Sequence, residues 1–313
     1  MGLNSATTAI VDSYVDECHS NGGDSQAIYG WNGPGPFKIV NNYLAGGHEV
    51  LGFGGPTPGI AGLIPSDIEI RRNHITRPLS WRGVWAAKNL FEMKSGQRVL
   101  FEGNVLENNW VDAQPGFAIV LQGLSDDNTA PQNRIWDVTI RRNVIRSTAA
   151  GINLASRVAY GGGALPDEPM RRVAVTQNLI VIGGSGFPGN ARMFQVLSDV
   201  RDLTIGRNTA VGALGIQTNA HMVFDGSVPT ERLTILDNVF GPSEYGVHGN
   251  GTSTLAATTA RFAPGALLTG NVFIGQLVGA GYPENWYPST LTAGGLVGAL
   301  TGNYAFLPAG LLH

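Results

Sequence analysis

The chain has few of the features that mark many protein classes. Its 313 residues include one cysteine, Cys18, which excludes an internal disulfide framework and is interpreted as a small buried apolar residue. Charged residues make up 14% of the chain, and the net charge is −3. Because phosphate backbones bind to basic surfaces, this weakly acidic balance argues against a nucleic-acid partner.

Long apolar runs are also missing. No stretch approaches the ~18 apolar residues of a membrane span, so we expect no membrane partner. The first residues lack a charged segment followed by an apolar one, and therefore show no signal peptide. We interpret the chain as a mature or truncated segment of a longer secreted protein, which acts in the extracellular space or the periplasm.

Common catalytic and metal motifs are absent. The six histidines are scattered, which argues against zinc, and no Gly-x-Ser-x-Gly elbow supports a serine nucleophile. Gly184, Gly186 and Gly189 match a dinucleotide motif, but Pro188 and a following strand replace the required helix. We expect no cofactor; calcium at residues 126–128 is the alternative, although a polar turn explains this segment more simply.

A nine-residue pattern recurs along the chain, and residues 67–75, DIEIRRNHI, show it best. Its core is apolar-x-apolar-x-x-Asn-x-apolar, and successive asparagines lie 30 to 39 residues apart. A fixed period in this range indicates a solenoid or a propeller. The copies carry Asn42, Asn73, Asn104, Asn143, Asn178, Asn208, Asn238, Asn271 and Asn303, and a first copy has Ser13 instead.

The repeat itself favours a solenoid. Ile68 and Ile70 alternate with Asp67 and Glu69, which predicts a strand with one buried face. A propeller blade needs four strands in ~40–50 residues, whereas only two or three short strands fit here. Asparagine tolerates left-handed backbone and suits a bend in each coil, where stacked amides would bond one another.

This pattern resembles the right-handed parallel β-helix of the pectin-lyase-like superfamily. The resemblance covers nearly the whole chain and implies an all-β fold, with residues 1–313 as one domain of about ten coils. That superfamily includes lyases, hydrolases, esterases, tailspikes and adhesins, so it implies a fold rather than an activity. The strand around Ala9 to Tyr14 should be an exposed edge, and a homodimer through this N-terminal coil would cover it.

Three segments without periodicity predict the functional face. Residues 52–66, 77–87 and 125–133 are rich in turn residues and are predicted as loops. Insertions in a solenoid often wall a binding face, so we expect a groove along the second strands of coils two to four. Residues 241–264, rich in small residues, are predicted as a further loop.

Paired glutamates are the leading catalytic candidates. Glu49 and Glu92 occur in similar local patterns on adjacent coils, HEVL and FEMK. Because stacked strands lie ~4.8 Å apart, carboxylates in one column would approach the ~5–5.5 Å separation used by retaining glycosidases. Such proximity raises one pKa and separates an acid from a base. Solvated surface carboxylates remain the simpler interpretation of each residue alone, and Asp112 is the reserve candidate, with a turn-stabilising alternative.

Strand alternation places Phe91 and Met93 inside and directs Glu92 and Lys94 outwards. The predicted substrate contacts are aromatic, basic and amide side chains on or beside these coils. The aromatic ones would stack on sugar rings or pin the loops to the solenoid. The contacts are Trp31, Trp81, Arg82, Trp85, Lys88, Lys94 and Gln122.

Together these observations predict a polysaccharide-active enzyme. The leading hypothesis is a glycoside hydrolase acting on a plant-type glycan, and the low charge favours a neutral one such as a β-glucan or xylan. The first alternative is a polysaccharide lyase with a lysine or arginine base, although the pectate-lyase pattern of an Arg base with calcium-binding Asp residues is not matched. The second is a non-catalytic carbohydrate-binding or adhesive module.

Overall fold

The computed structural model of the chain describes residues 1–127, 129–157, 165–276, 282–296 and 298–304. Their strands form three parallel sheets around one continuous apolar core, which confirms a parallel β-helix. The sheets have nine, nine and eight strands, so eight coils have three strands and a ninth has two. The prediction of about ten coils was slightly high because Asn303, in the last copy of the pattern, follows a 3-10 turn instead of a strand.

Each of the first eight coils contributes one strand to each sheet, and the ninth contributes one to the first and one to the second. The first sheet consists of β1 Thr8–Val11, β4 Phe37–Val40, β7 Ser66–Arg71, β10 Gly96–Glu102, β13 Ile135–Arg141, β16 Arg171–Thr176, β19 Arg201–Gly206, β22 Thr234–Leu236 and β25 Leu267–Thr269. The second consists of β2 Tyr14–Cys18, β5 Tyr43–Gly46, β8 His74–Thr76, β11 Val105–Asn109, β14 Val144–Thr148, β17 Leu179–Ile182, β20 Thr209–Gly212, β23 Val239–Phe240 and β26 Val272–Phe273. The third consists of β3 Ile28–Gly30, β6 Glu49–Phe53, β9 Asn89–Met93, β12 Phe117–Gln122, β15 Ala150–Ala155, β18 Arg192–Leu197, β21 Ala220–Asp225 and β24 Val247–Gly249.

Inward side chains stack from coil to coil. In β7, Ile68 and Ile70 are buried, as their alternation predicts, and they pair in register with Val99 and Phe101 of β10. The Phe101 ring stacks on that of Phe91 with centroids 4.6 Å apart. Apolar burial of this kind along the whole axis supplies the main stabilisation of the coils.

Asparagines form a ladder at the corner between the first and second sheets. Each amide Nδ2 donates to the Oδ1 of the next coil at 2.8–3.1 Å, and each backbone N–H of the ladder donates to the same oxygen. Asn104 and Asn143 are buried members, as expected. The last member is Asn285 and not Asn303, because a return of the chain brings Asn285 onto Asn271.

The left-handed residue at this corner is the one before each asparagine, such as Arg72 (φ 52°) or Arg142 (φ 56°). The predicted bonding between stacked amides is therefore confirmed, whereas the left-handed conformation expected for the asparagine belongs to the residue before it.

One α-helix, α1 Leu255–Phe262, lies in the segment predicted as a loop. Thr254 caps it by accepting a hydrogen bond from the Ala257 amide, and Leu, Ala and Arg favour helix. Composition alone hid this element because its alanines and threonines resemble a loop-forming stretch. Short 3-10 helices occupy Leu79–Trp81, Ala213–Gly215 and Ala299–Thr301. No helix in the described ranges is long and apolar enough to cross a membrane.

Candidate functional site

The outer face of the third sheet carries the predicted glutamates. In β9, Phe91 and Met93 join the core, and Glu92 points away from it, as strand alternation predicts. Outward position does not mean exposure here, because Glu92 is only 2% exposed. Glu49 at the start of β6 is also 2% exposed. Neither carboxylate is therefore an ordinary solvated surface group.

Strand register separates the two glutamates. Leu51 of β6 pairs with Phe91 of β9, and Glu49 therefore pairs with Asn89, whereas Glu92 pairs with Gly52. The prediction of one carboxylate column was wrong, because Glu49 precedes its inward leucine while Glu92 follows its inward phenylalanine. The similar segments HEVL and FEMK therefore place their glutamates at different positions relative to the paired core residues.

Two lysines each bridge one buried glutamate and one exposed aspartate. Lys94 Nζ lies 3.1 Å from Glu92 Oε1 and 3.0 Å from Asp126 Oδ1. Lys88 Nζ lies 2.6 Å from Asp24 Oδ1 and 3.3 Å from Glu49 Oε1. Glu92 Oε1 and Asp126 Oδ1 contact the same nitrogen atom, Lys94 Nζ, and the two carboxylates therefore lie close together.

These neighbours set the protonation of the site. Burial raises the pKa of Glu92; Lys94 opposes this rise, and the Glu49 charge adds to it. Burial alone would lower the pKa of Lys94, but Glu92 and Asp126 raise it above its ordinary value. Burial alone would also lower the pKa of Lys88, but Asp24 and Glu49 raise it above its ordinary value. Burial thus raises the pKa of Glu92, and the carboxylates raise the pKa of both lysines.

Amide side chains surround the carboxylates. Asn89 Nδ2 donates to Glu92 Oε2 at 2.5 Å and to Gln114 Oε1 at 2.9 Å. Gln26 Nε2 donates to Glu49 Oε2 at 3.0 Å. Each glutamate is therefore held by one amide and one lysine, which fixes its position.

A groove of about 370 Å³ opens beside Glu92 on this face. Of the predicted site residues, it brings together Glu92, Lys94 and Gln122. Its wall continues over two further coils, where Gln195 Nε2 donates to Asn153 Oδ1 at 3.1 Å. The groove is lined by Glu92, Lys94, Gln114, Pro115, Phe117, Val120, Gln122, Leu124, Asn153 and Gln195.

The predicted loops meet at both ends of these strands. Residues 52–66 and 125–133 touch each other, since the Asp126 amide donates to Gly55 O at 2.9 Å and Thr57 donates to Asp127. Residues 77–87 lie at the start of β9, where the Ala87 amide donates to Asp112 Oδ2 at 2.9 Å. Asp112 therefore holds a turn and does not line the groove.

The tryptophans do not line the groove. Trp81 is 5% exposed and packs on Trp110, so the expectation of a sugar platform there is corrected: its ring has no free face and pins the loop. Trp85 is half-buried and stacks on His19 with centroids 4.0 Å apart. Trp31 is half-buried near Tyr29, with centroids 6.4 Å apart.

Arg82 is exposed at the tip of the 77–87 loop, outside the groove. Its guanidinium lies 5.9 Å from the centroid of the Trp110 ring and 5.5 Å from that of Phe187. These contacts connect the 77–87 loop to the segment that contains Phe187.

Arg77 is a buried support that the sequence did not reveal. Its guanidinium donates to the carbonyl oxygens of Gly47, His48 and Asn89 and to Oδ1 of Asn109. Burial lowers its pKa to about 9. It joins the starts of β6 and β9 and so fixes the backbone that carries both glutamates.

Among the residues that the structure describes, no group of three or more His, Cys, Asp or Glu side chains is arranged to hold a metal ion. Asp126 contacts Lys94, and Asp127 accepts hydrogen bonds from Thr57, Ser125 and Thr129. The carboxylates of Asp126 and Asp127 thus have partners within the chain, and Asn128, the third residue considered for calcium, lies outside the described residues.

No protein-family model and no curated protein matches this chain. Among solved structures it is similar to the tailspike protein of E. coli bacteriophage HK620 in complex with a pentasaccharide, with 11% identity and a TM-score of 0.43. A single-residue mutant of that tailspike, also in complex with pentasaccharide, gives 12% identity and a TM-score of 0.46. Each match covers 86% of this chain and 49% of the other, so the chain spans about half the length of these structures. At these identities the likeness concerns the fold alone.

Proposed function

We propose that this chain is a glycoside hydrolase that cleaves a neutral polysaccharide in the groove of the third sheet. One observation carries the proposal: a buried glutamate with a raised pKa, Glu92, borders the groove and shares Lys94 with the exposed carboxylate of Asp126. Glycoside hydrolysis needs such a pair, one carboxyl protonated and one ionised.

The two carboxyls would take different roles. Glu92 would donate its proton to the glycosidic oxygen as the bond to the sugar breaks. Asp126 is not a lining residue, but its side chain is 42% exposed and contacts the lining residue Lys94. It would supply the second carboxylate, which stabilises the positive charge that develops on the sugar ring. Glu49 stays a predicted partner, but its carboxylate is buried and its strand position pairs with Asn89, three residues before Glu92.

The state of the lysines favours hydrolysis over lyase action. A lyase base must lose its proton, and the cation that neutralises a uronate must be available to the substrate. Lys88 and Lys94 each contact two carboxylates, which raise their pKa. With four carboxyls and two lysines the site is acidic, so it suits an uncharged glycan better than a uronate polymer.

A panel of neutral and acidic polysaccharides tests the proposal. We expect new reducing ends from a neutral glycan, with no ultraviolet absorption from an unsaturated product and no loss of activity in EDTA. An unsaturated product from a uronate polymer would establish the lyase instead. Retention of a glycan without either signal would establish the binding module instead. The Glu92–Lys94 ion pair would then have a structural role only.

Paired substitutions identify the second carboxylate. Asp126→Asn should lower turnover by about 10²-fold or more if Asp126 faces the sugar, whereas Glu49→Gln should act mainly on stability. The reverse ranking, with folding retained in both variants, would restore Glu49 as the partner and contradict the role of Asp126.

A further inference from the structure

Tyr29, at the centre of β3, shares one outward column with Glu92. Register pairs Tyr29 with Gly52 of β6 and Gly52 with Glu92 of β9. The middle position has no side chain, so the residue that neighbours Glu92 across the sheet on this side is a glycine. The space above that glycine is nevertheless filled.

The Tyr29 ring occupies the space. A Cβ built on Gly52 would lie 2.4 Å from Tyr29 Cε2 and 2.9 Å from Cδ2, which no real side chain tolerates. The ring therefore lies against the β6 backbone and extends from its own strand towards β9. Gly52 is required here because any larger residue would displace the ring.

Glu92 is enclosed on every lateral side. Tyr29 over Gly52 lies on one side of its column, and Val120 of β12 lies on the other. Along its own strand it contacts Asn89 and Lys94. Of these four neighbours, the tyrosine ring is the one contributed from two strands away, and the absence of a side chain at Gly52 makes room for it.

We propose that Tyr29 is a positioning residue for the proton donor: its ring, laid over Gly52, covers the Glu92 carboxyl and excludes water from it. The role of Glu92 as proton donor rests on the proposed function, whereas the covering of Glu92 by Tyr29 does not. Sequence reasoning had no access to this contact, because it depends on register between three coils.

The electrostatics of the site agree with this assignment. The charged groups facing Glu92 are Lys94 from its own strand, Glu49 from β6 and Asp126 from the 125–133 loop, and burial raises the pKa of Glu92 more than any of them changes it. Burial and the surrounding carboxylates hold the pKa of the Tyr29 phenol well above its ordinary value, so the ring remains neutral. A neutral cover raises the pKa of an acid by desolvation alone.

Carboxyl NMR on the full chain, labelled with ¹³C at the glutamate carboxyls, tests the inference directly. The Glu92 signal is assigned by its loss in Glu92→Gln. Tyr29→Ala should lower the pKa of Glu92 by about one unit or more, because water replaces the ring. Tyr29→Phe, which keeps the ring, should leave it within a few tenths of the parent value.

Gly52→Ala provides the same perturbation without altering either interacting residue, and covers the case in which Tyr29→Ala fails to fold. Its Cβ must push the ring aside, so the pKa of Glu92 should fall here too. Gly206→Ala is the matched control on another strand, since a Cβ there meets only Leu236 at 3.3 Å or more. An unchanged Glu92 pKa in both Tyr29→Ala and Gly52→Ala would overturn the inference.

Activity on the responsive glycan separates this inference from the proposed function. If both hold, the alkaline limb of the kcat/KM profile should move to lower pH in Tyr29→Ala by the same amount as the Glu92 pKa. If the Glu92 pKa falls but no glycan is ever cleaved, the covering of Glu92 by Tyr29 is confirmed and the hydrolase proposal is refuted. If a glycan is cleaved and the profile stays in place in Tyr29→Ala, Tyr29 has no positioning role.

Discussion

Replacing Asn104 with leucine should remove a large part of the stability of the solenoid. Oδ1 of Asn104 accepts hydrogen bonds from the Asn73 backbone amide at 2.9 Å and from Asn73 Nδ2 at 3.0 Å. Leucine offers no acceptor, so two buried donors lose their partner, each at about 1–3 kcal/mol. The expected loss of about 2–6 kcal/mol compares with a total stability of about 5–15 kcal/mol for ordinary domains.

Urea unfolding of the parent and of two matched variants measures this loss. Asn42→Leu, at the first amide of the ladder, orphans only the Ser13 amide and should cost about half as much. Asn303→Leu is at an exposed position outside the ladder and should cost less than Asn104→Leu. Equal midpoints for the Asn104 and Asn303 variants would refute the ladder as a source of stability.

Three further predictions follow from single contacts. Replacing Arg77 with methionine removes the guanidinium hydrogen bonds to three backbone carbonyls and to an amide oxygen. This should lower the free energy of unfolding by about 3 kcal/mol or more, and an unchanged denaturation midpoint would contradict the supporting role of Arg77. The folded pKa of Glu92 is raised above its ordinary value of 4.5, so its stabilising contribution is full below pH 4.5 and is lost as pH rises through the folded pKa. Glu92→Gln should therefore gain stability relative to the parent as pH rises above 4.5, and a relative loss there would show a lowered pKa. Among the described strands, β1 pairs only with β4. Light scattering should therefore show a homodimer or larger assembly that buries this edge, and a stable monomer with an ordered β1 would contradict it.

The sequence predicted the structural features that recur in every coil. The alternation of Ile68 and Ile70 predicted a buried strand face, and the spacing of the asparagines predicted the coils. Both predictions succeed because equivalent positions in successive coils have similar surroundings. The outward direction of Glu92 followed from the same alternation. These features depend on a few adjacent residues and on a period that is visible along the chain.

The site was less predictable because it depends on what varies between coils. The insertion at 77–87 hides how many residues lead into β9, so local similarity could not show that Glu49 pairs with Asn89. Asp126 was assigned to a polar turn because only the folding of its loop brings it to Lys94. The burial of Trp81 likewise arises from packing between segments distant in sequence, which periodicity does not describe.

The function rests on the carboxyl of Glu92, and the substitution Glu92→Gln tests it most directly. An amide has nearly the shape of a carboxyl but cannot donate the proton, so turnover of the responsive glycan should fall by about 10²–10⁴-fold while glycan binding stays unchanged. Glu107→Gln is the matched control, since Glu107 also pairs with a cation, Arg146 at 2.6 Å, but lies on the second sheet away from the groove. Turnover that survives in Glu92→Gln at the level of the Glu107→Gln control would contradict the account.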